Sequence, residues 1–312
     1  MRYLKLNHNI RENLDRFNVK IDHDSFVNFF SKRYEFPELK LPMMVEELLS
    51  ADPKCSKLID AFHEKQKASE LDELAKNNKK FDELLEKLKK KPSKTTKITK
   101  ERTERKISKL ELKIKKHDSK KMYDYDYRVY PLFYTPIVVM GPDKNPILKP
   151  MRFQCLPRTK DEEYDKEHGL YKAKKESLTE KYFERIRKNS STKSVWEPLF
   201  GHSHGIIILS GFYEYNKSGK NIGFGTSKSE FLLVPCLYDL WKSADGKKQL
   251  ESFAVITDKA SNLIKESGYH RCPVNIKACH FEAWLNPDGI SNKDLHSILE
   301  DNMQEPFVEL AS

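Results

Sequence analysis

Apolar side chains near the amino end fall three and four residues apart, at Ile10, Leu14 and Phe17, with Val19 close behind. That spacing lines one face of an α-helix and predicts a short amphipathic helix within residues 9–30. Pro37 and Pro42 in "YEFPELKLPMMV" then hold the chain extended, because proline fixes its own φ and pushes the preceding residue out of the helical region. From about Lys57 to Lys121 the helical spacing returns. Leu71, Leu74, Phe81, Leu84, Leu85 and Leu88 form one run, "KPSKTTKITK" interrupts it, and Ile107, Leu110 and Ile114 form a second. Two such runs around a Pro-Ser-Thr break predict an antiparallel helical hairpin over residues 57–121, inserted into a body made of residues 1–56 and 122–312.

The rest of the chain follows another rule. Aromatic and β-branched residues gather in short runs: "YDYDYRVYPLFYTPIVVMG", "GIIILSGFYEY", "EFLLVPCLYDLW", "SFAVITD" and "CPVNI". Helical pieces intervene only at "KASNLIKES", "HFEAWL" and "KDLHSILEDN", and "NPDG" reads as a turn. Strands this close together, with short helices between them, do not fit an alternating βαβ sheet. They predict an α+β fold: a single domain around a curled, mainly antiparallel β-sheet flanked by short helices, plus the helical hairpin.

Composition narrows the setting. The 312 residues are 38% hydrophobic and 33% charged, enough for a sizeable core. No run of 18 apolar residues occurs, so no membrane span and no membrane partner are expected. "MRYLKLNHNIRENLDRF" lacks the apolar stretch and small-residue cleavage site of a secretory signal. The five cysteines include no Cys-x-x-Cys pair, and Cys272 and Cys279, near His270 and His280, match no usual metal spacing. Buried structural thiols in a reducing compartment, cytoplasmic or nucleoid-associated, are expected, with no metal and no cofactor. The formal charge of +10 is concentrated: residues 86–121 hold 14 Lys and 2 Arg against 5 acids, and the remainder is close to neutral. The arm's lysines either meet phosphates or keep a long hairpin solvated.

Familiar catalytic signatures are missing: no Walker A loop, GxGxxG, HExxH or GxSxG occurs, and "GFGTSKSE" reads as a hairpin turn. Three weaker features remain. In "SGFYEYNKSGK", strand alternation points Phe212 and Glu214 one way and Tyr213 and Tyr215 the other. Glu214 is then either a solvent-facing acid ahead of a hairpin or a buried acid with a chemical role. The second feature is the charged cluster "YKAKKES" around Glu176. The third is "GYHRCPVNI", which sets His270 and Arg271 just before an apolar strand.

Taken in order, these features resemble the SOS-response-associated peptidase (SRAP) family, the abasic-site processing proteins, over nearly the whole chain outside the arm. "VYPLFYTPIVVM" is similar to the family's proline-bearing strand start. "LKPMRFQCLPRTK" is similar to its strand ending in Trp-Gly-Leu-x-Pro, and "GLYKAKKESLTEKYF" to its Tyr-Asn-Ala-Arg-x-Glu stretch. "SGFYEYNKSGK" resembles Gly-Phe-Tyr-Glu-Trp, "FLLVPCLYDLW" the Gly-Leu-Trp strand, and "SFAVITDKASNLI" Phe-x-Ile-Thr-Thr-x-Ala. "HRCPV" resembles His-x-Arg-Met-Pro-Val, and "FEAWLNP" the Trp-Leu helix that follows.

The resemblance implies a protein of single-stranded or abasic DNA in the DNA-damage response. It implies that a cysteine at position 2 captures the ring-opened sugar as a thiazolidine through its amine and thiol. A glutamate and a histidine assist proton transfer, an asparagine organises the pocket and arginines hold phosphates. On this chain it makes Glu214 and His270 the catalytic candidates, and Lys172, Lys174, Glu176 and Arg271 the DNA-contacting ones. The family's asparagine and arginine are Lys172 and Lys174 here, and lysine lacks the two-pronged geometry of arginine. Counting back from Pro273, Tyr269 takes the family histidine position, and His270 fits with a one-residue deletion.

Position 2 is Arg2, and methionine ahead of arginine is expected to stay, so thiazolidine crosslinking is expected to be lost. Three readings follow: a DNA binder, a residual DNA lyase or peptidase-like hydrolase, and a scaffold that recruits a protein partner through residues 57–121.

Overall fold

A computed structural model describes residues 3–117, 119, 121–188, 193–215, 219, 221–226, 231–303 and 307–310. Met1 and Arg2, on which the expected loss of crosslinking turns, lie outside the described residues, as do most of the loop after Tyr215 and residues 227–230 of the turn expected at "GFGTSKSE". The first half of that stretch, residues 223–226, is not a turn but part of a strand, Asn221–Thr226.

The expected helix within residues 9–30 is two helices with a short strand between them. Strand β1 (Tyr3–Leu6) leads to α1 (Ile10–Arg16), β2 (Lys20–Ile21) and α2 (His23–Glu35). Asn18 adopts a left-handed φ of 49°, which turns the chain out of α1, and the Val19 amide closes the end on the Leu14 carbonyl at 2.8 Å. The Asp22 carboxylate caps α2 by accepting from the Ser25 amide at 3.1 Å. The apolar spacing alone runs across this break, because Val19 is buried although it is not helical. After α3 (Met43–Leu49) comes the arm: α4 (Pro53–Lys90) and α5 (Lys94–His117).

At 38 residues, α4 is roughly 57 Å long. It starts ahead of residue 57, capped by Asp52, and its first turns bury Cys55 and Ile59 in the core of the body. The break between the helices is shorter than expected. Ser93 caps α5 by accepting from the Thr96 amide at 3.1 Å, so the Lys-Thr run is already helical. Leu84 and Leu110 are buried between the two helices, and Lys106 pairs with Glu73 across them at 2.6 Å. Leu71, expected on the packed face, is 47% exposed.

The body is organised by β3 (Arg128–Val129), β4 (Tyr134–Met140), β5 (Pro146–Phe153), β6 (Lys172–Lys174), β7 (His204–Tyr215), β8 (Asn221–Thr226), β9 (Leu232–Lys242), β10 (Gln249–Lys259), β11 (Arg271–Pro273) and β12 (Phe307–Leu310). Five of these close on themselves in the order β4-β5-β10-β9-β7, back to β4. The core is therefore a five-stranded barrel with additional strands, which corrects the expected curled, mainly antiparallel sheet. Strand directions cannot alternate around a closed ring with an odd number of members, so one neighbouring pair must be parallel. That pair is β5–β10, with Phe153 opposite Phe253. Parallel pairs β2–β5 and β6–β10 extend the barrel.

Ile206–Leu209 and Phe253–Ile256 are buried without alternation. Both faces of those strands are covered, one by the barrel interior and the other by surrounding elements, α9 (Phe281–Leu285) on β7 and the short 3₁₀ turn Lys175–Ser177 on β10. Trp284 fastens α9 by donating its indole N–H to the Gly205 carbonyl at 3.0 Å. The remaining helices, α6 (Glu162–His168), α7 (Glu180–Lys188), α8 (Asn262–Glu266) and α10 (Asn292–Glu300), are short, as expected of the flanks. Among the described residues no helix is long and apolar enough to cross a membrane.

Candidate functional site

Glu214 sits one residue from the end of β7 and is 7% exposed, so it is buried and not the solvent-facing acid of the first reading. Three strands create this position. β8 pairs with β7 as a hairpin that sets Glu214 opposite Ile222, and β1 runs along the other edge with Tyr3 opposite Tyr213 and Leu4 opposite Phe212. Phe212 shares a face with Glu214 and stacks on Phe224 at 5.5 Å, so the acid lies at the end of an apolar surface. The first described residue, Tyr3, is thus paired next to Glu214.

On the opposite face an aromatic cluster forms. Tyr3 stacks on Tyr213 at 4.6 Å and meets Tyr130 at 4.8 Å. The Arg128 guanidinium lies 5.1 Å from the Tyr3 ring and 5.4 Å from that of Tyr213. Asp124 ties the cluster together: it pairs with Lys5 at 2.6 Å and with Arg128, and accepts from the Tyr213 hydroxyl at 3.4 Å. Burial works to raise the Asp124 pKa, but hydrogen bonds from Lys5 and Arg128 outweigh it and leave the carboxyl below its ordinary range. Burial, with the charge of Asp124, pushes the Tyr213 phenol up to about 12, so it stays protonated. Gly223 is required here, because a Cβ at that position would stand 2.6 Å from the Tyr213 ring. Asn221 donates its amide to the Tyr3 hydroxyl, while its buried Oδ1 has no hydrogen-bond partner among the described residues.

The other sequence candidates gather elsewhere. β6 lies parallel to β10, with Lys172 opposite Val255 and Lys174 opposite Thr257, and β11 pairs with the same end of β10. Lys174 is exposed; the Lys172 ammonium rests 5.1 Å from the Tyr171 ring. Arg271, expected to face phosphates, is engaged within the protein. Its two terminal nitrogens donate to Glu176 at 3.0 and 2.8 Å, and its Nε donates to the Thr257 hydroxyl at 3.0 Å. That hydrogen-bonded pairing holds Glu176 below the ordinary carboxylate range against the opposing effect of burial. Glu176 thus orients Arg271. Lys175, which sequence reasoning did not single out, is buried and bonded to Asp258 and to Glu300.

His270 is exposed, whereas Tyr269 packs against the core with a buried hydroxyl that lacks a partner among the described residues. β9 and β10 lie between β7 and β11 in sheet order, so Glu214 and His270 belong to separate strand ends. Cys272 is buried beneath this edge and burial pushes its thiol up to about 11, while Cys279 is exposed. Tyr3, Asp124, Arg128 and Asn221 are the residues that the sequence left unmarked; only the unusual density of tyrosine around "YDYDYRVY" hinted at them.

Residues 93–310 match the SOS response associated peptidase (SRAP) family, and the chain belongs to it. The match begins at the turn between α4 and α5, and it associates the protein with the SOS response to DNA damage. Among solved structures, a protein from Bacteroides thetaiotaomicron is similar at 18% identity and a TM-score of 0.47, over 60% of this chain and 78% of that one. A protein from Bordetella bronchiseptica is similar at 17% identity and a TM-score of 0.44, over 62% and 90% of the two chains. A phage-related protein from the same organism is similar at 15% identity and a TM-score of 0.44, over 63% and 86%. No curated protein matches.

Proposed function

We propose that this protein binds single-stranded DNA, with a preference for an abasic or unstacked nucleotide held beside Glu214, and that it does so without forming a thiazolidine. The observation that carries this reading is the position of Glu214: a buried acid at the end of β7, on the family's Gly-Phe-Tyr-Glu motif, adjacent to the strand that begins at Tyr3. Arg2 stands where the family's cysteine is expected, and the proposed loss of crosslinking rests on that residue. Lys172, Lys174 and the arm offer sequence-independent charge to the phosphate backbone, and His270 is accessible to a bound strand.

The test is fluorescence anisotropy with single-stranded oligonucleotides, with and without an abasic site, across a salt series. Binding that weakens by a log–log slope of about −0.7 per neutralised phosphate is expected, with tighter binding to the abasic strand and loss of that preference in Glu214→Gln. Absence of binding at about 50 mM salt overturns the proposal. An adduct trapped by borohydride, together with strand cleavage that Glu214→Gln abolishes, would instead make the protein a lyase.

A further inference from the structure

Where the arm leaves the body, α2, α3, α4 and α5 bring an unusual set of side chains together. Arg33 donates to Glu46 at 2.5 Å, and the other Glu46 oxygen lies 2.6 Å from Nε2 of His63. His117, at the end of α5, places its Nε2 3.0 Å from Glu70. Lys113 stands 3.8 Å from Glu70. The two imidazoles then turn their remaining nitrogens toward each other, Nδ1 to Nδ1 at 3.3 Å, although 54 positions separate them in sequence.

The protonation pattern follows from the partners. An ionised carboxylate only accepts, so each Nε2 carries the hydrogen and each neutral ring bears its lone pair on Nδ1. Glu46 is buried against the Arg33 guanidinium at 2.5 Å, a pairing of a cation with a carboxylate. Two lone pairs therefore face each other, an arrangement that repels unless a cation lies between them. A shared proton at this 3.3 Å separation is one such cation, and a metal ion is another. Two nitrogens bound tetrahedrally to zinc at about 2.0–2.1 Å from the metal are separated by roughly 3.3–3.4 Å. The rings stand at 69° to each other with their centroids 5.4 Å apart. A carboxylate behind each imidazole is the usual outer support of a histidine ligand, fixing its tautomer and raising its basicity.

We propose that His63 and His117 bind a divalent first-row transition-metal ion, zinc being the best match, through their Nδ1 atoms. The side chains of His63 and His117 keep 29% and 14% of their exposure, which admits water to the two remaining coordination positions. The ion ties the start of the arm to its return and so fixes how the arm leaves the body. The Glu46 and Glu70 charges balance Arg33 and Lys113 around it.

The test uses the full chain, stripped with chelator and titrated with Zn²⁺ by calorimetry, with thermal melting as a second readout. One saturable equivalent is expected, with a rise in Tm, and no comparable response to Mg²⁺, which prefers oxygen ligands. His63→Ala and His117→Gln each weaken Zn²⁺ binding by about 100-fold or more. Glu70→Gln, which leaves both ligands in place, weakens it by about 10–100-fold. The double variant Cys279→Ser/His280→Ala, at an exposed pair elsewhere, leaves it unchanged. Circular dichroism of each metal-free variant checks that its helices persist. Failure of Zn²⁺ at about 1 mM to bind or to raise Tm, or equal binding by wild type and a folded His63→Ala or His117→Gln variant, overturns the proposal.

Discussion

Two buried groups, His204 and Glu46, contribute to how the protein responds to acid. His204 is 2% exposed, stacks on Trp284 at 4.1 Å, lies 2.9 Å from the Trp284 carbonyl through Nδ1, and accepts from the Gly201 amide through Nε2 at 2.8 Å. Burial dominates and lowers its pKa from 6.5 to about 3, with the hydrogen bond to Trp284 opposing. The folded state therefore binds fewer protons than the unfolded state between these values. The stability that neutral His204 contributes is complete above the unfolded pKa and is lost as pH falls from about 6.5 toward 3, by up to about 1.4 kcal/mol per pH unit. Chemical denaturation across that window should show the slope, and His204→Phe should flatten it. Glu46 has the same sign for a different reason: its folded pKa is depressed, so its contribution is present above the ordinary carboxylate range and lost as pH falls through the lowered value. Glu46→Gln leaves Arg33 buried without its charge partner and should cost about 3–5 kcal/mol at neutral pH, while reducing the acid sensitivity of what remains. Denaturation of both proteins at pH 7 and pH 4 checks this.

The helices of the arm stabilise each other through a narrow seam. Leu110 is 4% exposed and Leu112, two residues on, is 69% exposed, so the two test that seam directly. Leu110→Ala should cost about 2–5 kcal/mol of arm stability, and Leu112→Ala should stay within about 0.5 kcal/mol. Helical signal at 222 nm during thermal melting reads both. The same seam shows how much of the arm the sequence revealed. Its two apolar runs predict a helical pair, and the pair exists. Leu71 misled because a seven-residue repeat drifts by about 20° per heptad around a straight helix, and α5 covers one side of it. The start of the arm was equally hidden: α4 begins at a capped proline and first serves the core of the body through Cys55 and Ile59.

At the scale of the whole molecule, the foot of α4 packs on α2 and α3. Replacing residues 75–105 with a short Gly-Ser linker should leave the barrel's near-ultraviolet circular dichroism unchanged, because no residue of that stretch belongs to the core of the body. If the arm's lysines contact phosphates, the same deletion lowers the salt slope of DNA binding. If they only solvate the arm, the slope stays as it was. The strands of the body were largely legible, since β7, β9 and β10 each coincide with an apolar run. Their closure was not, because a hydrophobic run states that a strand is buried but not which strand lies beside it.

The same division holds for the candidate site and for the molecule as a whole. The chain by itself determined the long apolar strands, the presence of the charged arm's two helices, the family to which it belongs, and that Glu214 and Phe212 share a face. These depend on periodicity and motif order, which neighbouring residues carry. Tertiary structure decided what depends on distant residues meeting. It closed the barrel with one parallel pair, buried Glu214 beside Tyr3, turned Arg271 onto Glu176, and brought His63 against His117 across 54 positions. A contact of that kind leaves no local period in the sequence, so only the folded chain displays it.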